Sequence, residues 1–414
     1  MRKSLVAVVI SLIFVSVIPA FSASIPGTKC TKAGATKTVS NMKYTCVKQG
    51  SKLIWNKGVA IKQAVKATPA PVPTPTPSET PKSEPKPAVT TTPTPTSTPT
   101  YEPKFVDLNF SNLYENRLDI SYTAWKKASN IATASKSKAG TISVYTGPNT
   151  KPFFDDYSYA VGQVSKLFPA KSEPIDILVI RYIYEDMDWA ENIAKTKLSE
   201  SDYAQLRINE NGPVTKGNCD SQMKACRGSR QQTVPSGTSV ILQGVELTVT
   251  QYPQNGLSFY NGMLEAHEYF HSLQRIPIMN TGVRVWPHAW WREGGATWVQ
   301  NAAINVGNYA KYKSYIDIDC KYHCKDLTQA DYEDFLLNAF DNTVPAKFSP
   351  DMNYTFGSLV IESLVAIKGP EVLIDMYAEM GKGLTFNAAF KNLFGIEWAN
   401  AIPTLAKVIK ANQS

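Results

Sequence analysis

Acidic residues are absent from the first 78 positions of this 414-residue sequence. The same stretch holds eleven of the 43 lysines and arginines, so the other residues carry 32 basic against 35 acidic side chains, a balance of −3. The net charge of +8 therefore resides in the N-terminal part of the chain. Because the excess of basic residues is confined there and no known reader motif accompanies it, we predict no nucleic-acid partner. An Asp-rich loop with EF-hand spacing is also missing, so no calcium site is predicted.

Long apolar runs are scarce as well. The run Leu5–Ile18 is shorter than the roughly 20 residues that a transmembrane helix needs. Arg2 and Lys3 precede it and small residues follow it, which is the pattern of a secretory signal peptide over residues 1–23. We therefore predict a secreted, extracellular protein with no transmembrane segment after signal removal. Cys30 follows Gly-Thr-Lys rather than small apolar residues, so no lipid anchor is expected.

Cysteine is limited to six residues. In an exported protein they are expected to form disulfides, and we predict the local pairs Cys30–Cys46, Cys219–Cys226 and Cys320–Cys324, although six cysteines allow fifteen connectivities. His323 lies between the last two, an arrangement that superficially suggests a second zinc site. Outside the cell a disulfide is the better interpretation.

Composition divides the chain into segments. Residues 27–58 hold a cysteine pair and end in a Leu-Ile-Trp segment, and this module loosely resembles short Cys-pair segments of secreted actinobacterial proteins. Its basic charge could attract residues 27–66 to an anionic cell-wall polymer, or could serve solubility alone. Residues 67–103 are rich in proline and threonine and predict a semi-rigid linker. Residues 105–414 are long enough to form a large folded domain.

We predict an α+β fold for residues 105–414. A mixed α/β lobe with a β-sheet comes first, and a mainly helical lobe follows residue 255, with a cleft between them. Hydrophobic periodicity predicts helices over Asn116–Lys138, Phe153–Phe168 and Asp186–Leu198, and strands over Thr141–Tyr145, Ile175–Ile180 and Ser239–Gln251. Alternation over residues 245–251 predicts a half-buried strand at the sheet edge, to which an extended peptide could add.

Histidine is rarer still, with four residues, and two of these stand in His267-Glu268-Tyr269-Phe270-His271. Residues four apart on a helix share a face, so both imidazoles can reach a single metal ion. Glu268 lies beside that ion and can take a proton from a bound water. The alternative is a solvated helix face with two unrelated histidines. The scarcity of histidine favours a metal site, which we predict holds one catalytic Zn²⁺.

A catalytic zinc needs a third protein ligand. The best candidate is Glu293, in Trp-Trp-Arg-Glu-Gly-Gly-Ala, on a helix that Pro287 and His288 can open. An acidic residue near a helix start is also favoured by the helix dipole alone. His288 could donate to a substrate or orient a ligand, but it could equally be an ordinary helix-start residue.

A His-Glu-x-x-His helix followed by a Glu-Gly-x-Ala helix resembles the gluzincin zinc peptidases, the group of thermolysin and the aminopeptidase-N-like enzymes. The resemblance implies zinc ligation by His267, His271 and Glu293. The segment Tyr354-Thr-Phe-Gly357 is similar to the Tyr-x-x-Gly segment of the aminopeptidase-like members, which implies that the Tyr354 hydroxyl steadies the oxyanion; a core tyrosine is the alternative.

The sequence also departs from the gluzincin pattern. Twenty-one residues separate His271 from Glu293, more than the spacing in those enzymes. No Gly-x-Met-Glu-Asn segment precedes the motif, which favours an endopeptidase over an aminopeptidase. We therefore predict a secreted zinc metallopeptidase that acts on peptide or protein substrates, with Glu268 as general base. The alternatives are an envelope-associated binding or adhesion protein on an inactive peptidase fold, and a zinc hydrolase of a non-peptide amide or ester.

Overall fold

The computed structural model describes residues 29–39, 42–49, 52–56, 59–60, 101–171, 175–207, 213–246, 261–283, 286–318, 320–324, 326–340 and 343–413. The chain divides into two compact units, Met1–Pro95 and Thr96–Ser414. The predicted signal peptide and most of the predicted linker lie outside the described residues. Among the residues described, no helix combines the length and the apolar character that crossing a membrane requires.

The first unit contains a small antiparallel sheet. Its strands are β1 (Thr36–Val39), β2 (Met42–Gln49), β3 (Lys52–Trp55) and β4 (Val59–Ala60), and β2 pairs with the other three. Cys46 on β2 is fully buried and forms a disulfide with Cys30, as predicted. A sheet this small buries little apolar surface, so the disulfide supplies a large share of its stability.

A five-stranded mixed sheet lies in the second unit. Its strands are β5 (Ile142–Thr146), β6 (Ile177–Tyr182), β7 (Cys219–Asp220), β8 (Ala225–Thr233) and β9 (Ser239–Val245), in the order β5-β6-β9-β8-β7. The strands β5, β6 and β9 run parallel, and β8 runs antiparallel to β9. The short strand β7 pairs only with Ala225 and Cys226 of β8. Among the strands of the described part of the chain, only β9 pairs with Arg227–Thr233.

Helices account for the remaining regular structure of this unit. They are α1 (Ile120–Ala134), α2 (Tyr157–Leu167), α3 (Met187–Lys197), α4 (Glu200–Arg207), α5 (Met263–Arg275), α6 (Ala289–Ile304), α7 (Tyr309–Ile316), α8 (Gln329–Asn338), α9 (Thr355–Lys368), α10 (Val372–Gly381), α11 (Phe386–Phe394) and α12 (Trp398–Gln413). All regular elements described after residue 246 are helical. The predicted α+β class, with a mixed lobe followed by a helical one, is confirmed.

The sheet is buried on both faces because successive side chains of its strands point to opposite sides. Ile177 and Val179 of β6 belong to the main core, which also contains α2, α5 and α6. Leu178 and Ile180 face a smaller core under α3 and α4. This two-sided burial explains the nearly continuous apolar sequence of β6.

The strand predicted over Ser239–Gln251 exists in its first part, but its predicted position in the sheet was wrong. The strand β9 ends at Val245, is completely buried and lies between β6 and β8, so it is neither half-buried nor an edge strand; residues 247–251 lie outside the described part. Residues Ala225–Thr233 form β8, a strand that hydrophobic periodicity did not predict. The polar sequence of β8 reflects its position near the sheet edge, where several side chains remain partly exposed.

The first predicted helix was only partly correct. It begins at Ile120 rather than Asn116, after a short 3-10 turn, and Leu118, within the predicted range, is exposed. The buried face of α1 is instead built from small and hydroxyl residues such as Thr123, Ala124 and Ala128. Small side chains let α1 approach α9 closely, and a large-residue stripe does not reveal such a face.

Candidate metal centre

The motif helix α5 is held to the sheet and to α2 by polar contacts inside the core. Glu265 accepts a hydrogen bond from Gln243 of β9 at 3.0 Å, and Ser272 contacts Ser239 of β9 at 2.5 Å. Tyr269 contacts Ser165 of α2 at 3.1 Å. The helix begins at Met263, directly after Gly262. Anchors on both sides of the motif fix the rotation of α5 and thus the direction of its histidines.

The second helix of the site, α6, begins at Ala289 directly after His288. Its glycine Gly294 packs on Gly357 of α9: a Cβ at Gly294 would lie 2.7 Å from the Cα of Gly357, and a Cβ at Gly357 would lie 2.7 Å from the backbone oxygen of Trp290. Only glycines permit this approach. It brings the N-terminal end of α9, with Tyr354, beside Glu293.

The structure brings His267, His271 and Glu293 together, with one ligand atom from each within 4.8 Å of the others. The Nε2 atom of His267 lies 3.6 Å from a carboxylate oxygen of Glu293, and that of His271 lies 3.3 Å from the same oxygen. The two rings are 4.9 Å apart and nearly perpendicular. A group with this geometry could hold a metal ion.

Two glutamines orient the imidazoles. The Nδ1 atom of His267 lies 3.1 Å from Oε1 of Gln300 on α6, and Nδ1 of His271 lies 2.8 Å from Oε1 of Gln274. Gln274 in turn donates to the backbone oxygen of Arg292 at 2.9 Å. An amide oxygen requires a proton on Nδ1, so each Nε2 lone pair is left for a metal.

Electrostatics within this group depends on the neighbouring charges. Burial alone would raise the pKa of Glu293, but His271 and His267 outweigh burial and hold this pKa well below its usual range. Burial would lower the pKa of His271, yet the Glu293 carboxylate outweighs it and raises that pKa. Arg292 also pairs with Glu293, at 2.9 Å. Glu293 is therefore ionised, as a metal ligand must be.

Glu268, on α5, is 4% exposed and lies next to His267 in the sequence. Burial raises its pKa; the two histidines of the motif act in the opposite direction, as does the Ser229 hydroxyl of β8. A carboxylate with a raised pKa binds a proton more readily than an ordinary glutamate, which suits Glu268 to accept and return a proton.

Tyr354 lies at the start of α9, with its ring stacked on His267 at 6.1 Å between centroids. Burial, followed by the Glu293 and Glu268 carboxylates, raises the pKa of its phenol, so the hydroxyl keeps its proton. The side chain is 41% exposed, which places it at the boundary between the metal group and open space. A protonated hydroxyl in this position can donate a hydrogen bond to a bound substrate.

These residues line a cavity of about 1130 Å³, which is the cleft expected between the lobes. The cavity is lined by residues of β8, α5 and α6 and by His323, Asp351 and Tyr354. Residues Arg227–Thr233 of β8 and the metal group therefore line the same cleft. The strand predicted to bind a peptide, residues 245–251, lies mostly outside the described residues; of its described residues, Val245 lines the cavity.

The other two histidines lie apart from the metal group. His288 is 9% exposed and packs among aromatic rings, 4.4 Å from Phe386 and 5.4 Å from Phe340, and it does not line the cleft. His323 faces the cleft and lies 3.4 Å from Asp351. Its neighbours Cys320 and Cys324 form a disulfide, and all three predicted pairs are confirmed.

Sequence reasoning missed Gln274, Gln300 and Ser229. A signal was present for both glutamines: Gln274 follows His271 by three residues and Gln300 follows Glu293 by seven, spacings that share a helix face. No comparable signal marks Ser229, because its contact with Glu268 depends on strand pairing between distant segments.

Comparison with known proteins places the chain in no established group: no family model, no curated protein sequence and no solved structure matches it.

Proposed function

We propose that residues 105–414 are a zinc-dependent endopeptidase of the gluzincin type, exported from the cell. One observation carries this proposal: three helices converge on one point with two histidine Nε2 atoms, one carboxylate oxygen, a buried glutamate and a tyrosine hydroxyl. A solvated helix face would require none of this convergence.

The donor set fits zinc. Two imidazole nitrogens and one carboxylate oxygen are a known protein complement of catalytic zinc, and the fourth position is left for water. Hydrogen bonds that the imidazole Nδ1 atoms donate to the glutamine oxygens fix both rings in the tautomer that a metal requires. When bound, zinc would polarise a substrate carbonyl and lower the pKa of its water to about 7.

The chain supplies the proton transfer and charge stabilisation. Glu268 accepts the proton of the attacking water and returns it to the leaving amine, a task suited to its raised pKa. Tyr354 donates its hydroxyl hydrogen bond to the oxyanion that forms as the carbonyl is attacked.

The cleft is suited to an extended chain. The outer edge of Arg227–Thr233 offers backbone groups to a peptide that adds as another strand. All residues of Arg227–Thr233 line the cavity that contains the metal group, and Ser229 contacts Glu268. Such a site accepts an internal segment of a polypeptide, which agrees with endopeptidase action.

The test compares the purified wild-type protein with Glu268→Gln, using Glu185→Gln, an exposed surface change, as control. Elemental analysis should find one zinc in all three proteins. Cleavage of unfolded casein should occur in the wild type and the control and fall about 10²–10⁴-fold in Glu268→Gln. Absence of zinc from the wild type would refute the proposal, and zinc without cleavage would favour a binding protein or a non-peptide hydrolase.

A further inference from the structure

We propose that a second pocket of the large unit binds a small primary ammonium group on an aliphatic stem, with Glu362 as the partner of its positive charge. The pocket has a volume of about 160 Å³ and is lined by the 3-10 turn before α1 and by α1, α7, α9 and α12. It shares no lining residue with the cleft that contains the metal group. The inference therefore goes beyond the proposed function and does not depend on it.

Aliphatic side chains from several helical segments line part of this pocket. They include Leu118 of the 3-10 turn, Ile316 of α7, Leu359 of α9 and Val408 of α12. Leu118 is 49% exposed, so apolar surface is accessible to a ligand there. Transfer of an aliphatic group from water onto such surface is favourable. A cavity of about 150 Å³ holds a molecule of the size of benzene, so this pocket suits about six non-hydrogen atoms.

The carboxylate of Glu362 lines the same pocket and is 5% exposed. Its Oε1 atom accepts a hydrogen bond from the Tyr312 hydroxyl at 2.7 Å, and its Oε2 atom accepts one from Ser121 at 3.0 Å. A carboxylate has about four lone-pair sites, so two of them remain for a ligand. Among the described residues, no lysine, arginine or histidine forms an ion pair with Glu362. Buried carboxylates are normally paired with a cation, and a cationic ligand would supply that partner.

The two cationic side chains that line the pocket are held by other partners. Lys313 of α7 pairs with Asp317, one turn later on the chain. Arg117 of the 3-10 turn donates to the backbone oxygen of Tyr114 at 3.5 Å, and its Cζ atom lies 5.2 Å from the centroid of the Tyr114 ring. Both cations are more exposed than Glu362. Because charges interact more strongly where less water surrounds them, the buried carboxylate decides which ligand charge is favoured.

An ammonium group matches the acceptors that Glu362 still offers. It carries three N–H donors, and hydrogen bonds between an ammonium group and a carboxylate are charge-assisted. A free aliphatic amine and the lysine side chain of a protein share this chemistry. Isoamylamine represents the first source, and Nα-acetyl-lysine amide represents the second.

The experiment measures the Kd of matched ligands by NMR titration of the purified protein, with a chelator present so that no amine binds zinc. Isoamylamine is compared with isoamyl alcohol, which lacks the charge, and with 4-methylpentanoate, which carries the opposite charge. At pH 8 we expect the amine to bind with a Kd of about 1 mM, at least about 10-fold more tightly than the alcohol. The carboxylate should bind more weakly than the alcohol. Equal Kd values for amine and alcohol, or tightest binding of the carboxylate, would overturn the inference.

The two amine probes distinguish the sources of the ligand. Tighter binding of isoamylamine would indicate a free amine, and tighter binding of Nα-acetyl-lysine amide would indicate a lysine side chain of a protein. Either result supports the site. Failure of both probes to show saturable binding would reject it.

The pH dependence of amine binding is a second readout. Burial raises the pKa of Glu362 to about 7; Tyr312 and Lys313 act in the opposite direction, and Asp317 acts in the same direction as burial. The pKa values of the Tyr309 and Tyr312 phenols are also raised, so both keep their protons. An ammonium group is attracted to the ionised form of Glu362, so the amine Kd should rise about 10-fold from pH 8 to pH 5.5 while the alcohol Kd stays constant. An amine Kd that does not change over this range would contradict Glu362 as its partner.

Two variants locate the site. Glu362→Gln keeps the shape of the side chain and removes its charge, so the ratio of the alcohol Kd to the amine Kd should fall to about 1–2; Glu185→Gln, an exposed change outside the pocket, should retain the wild-type ratio. Ala411→Phe places a larger side chain in the pocket lining and should weaken binding of amine and alcohol alike, by at least about 10-fold. An amine preference that persists in Glu362→Gln, or amine binding that Ala411→Phe leaves unchanged, would overturn the inference.

Discussion

Individual side chains at the metal centre are oriented by partners that do not touch the metal. Gln274 and Gln300 accept from the imidazoles on the side away from the ligand atoms. Removal of such a partner typically weakens metal binding 10- to 100-fold because the imidazole can then rotate or change tautomer.

We therefore expect Gln300→Ala to raise the zinc Kd about 10- to 100-fold, measured by competition with a coloured chelator. Gln222→Ala, an exposed change, should leave the Kd unaltered. Equal zinc affinity in the wild type and Gln300→Ala would show that Gln300 plays no part in orienting His267.

A substitution of Tyr354 can separate an effect on the chemical step from an effect on substrate or zinc binding. Tyr354→Phe keeps the ring that stacks on His267 and removes only the hydroxyl. If that hydroxyl stabilises the oxyanion, kcat should fall about 10²- to 10³-fold while KM and zinc content change little. An unchanged kcat would make Tyr354 a packing residue, which was the alternative drawn from the sequence.

At the scale of elements, the site depends on the close crossing of α6 and α9. A Cβ at Gly294 would lie 2.7 Å from the Cα of Gly357, whereas a Cβ at Gly295 would meet only the side chains of Gln274 and Phe270, at 3.6 Å. Two adjacent glycines in one helix thus differ sharply in their surroundings.

Gly294→Ala should lower the free energy of unfolding by about 1–3 kcal/mol because the two backbones must separate. Gly295→Ala should be neutral or raise it by up to about 1 kcal/mol, since alanine favours the helix. Urea denaturation of both variants measures the difference. A similar effect of the two substitutions would contradict the close crossing of the helices.

The same elements show what the sequence could predict. The motif helix, the helix of Glu293 and the core strand β6 were predicted because each has a strong periodic or apolar pattern. The edge strand β8 was missed because its side chains are polar, and β9 was misplaced because the alternation after Val245 was given more weight than the continuous apolar run before it. Strand order arises from long-range pairing that local patterns do not record.

Some residues of the candidate site were likewise predictable from the sequence, and others were not. His267, Glu268, His271, Glu293 and Tyr354 were all selected from local motifs, and the structure brings them together. Their catalytic roles remain predictions. The wall formed by β8 and its Ser229 could not be foreseen, because it depends on the register of β8 against β9.

The large unit as a whole contains a second buried acid, which does not belong to the metal group. Glu362 on α9 is 5% exposed and accepts hydrogen bonds from Ser121 and Tyr312, and burial raises its pKa to about 7. Its unfolded pKa is lower, near the usual 4.5, so the folded state binds a proton between these values. The stability that Glu362 contributes is thus present below pH 4.5 and lost as the pH rises through 7.

We expect Glu362→Gln to remove this loss of stability at higher pH. The free energy of unfolding of Glu362→Gln, minus that of the wild type, should increase by about 1–3 kcal/mol between pH 5 and pH 8. Urea denaturation with a chelator present excludes the contribution of metal binding. A constant difference between the two proteins across this pH range would contradict a buried, titrating Glu362.

The three disulfides are consistent with an extracellular protein. Residues 1–23 and 67–100 lie outside the described part, so the signal peptide and the linker remain predictions. The attraction of residues 27–66 to an anionic wall polymer is likewise untested.

X-ray absorption spectroscopy at the zinc edge of the purified protein would show whether His267, His271 and Glu293 hold zinc. We expect one zinc with two imidazole nitrogens at about 2.0–2.1 Å, oxygen ligands at about 2.0–2.2 Å and no sulfur. A spectrum without imidazole scattering, or with sulfur ligands, would contradict it.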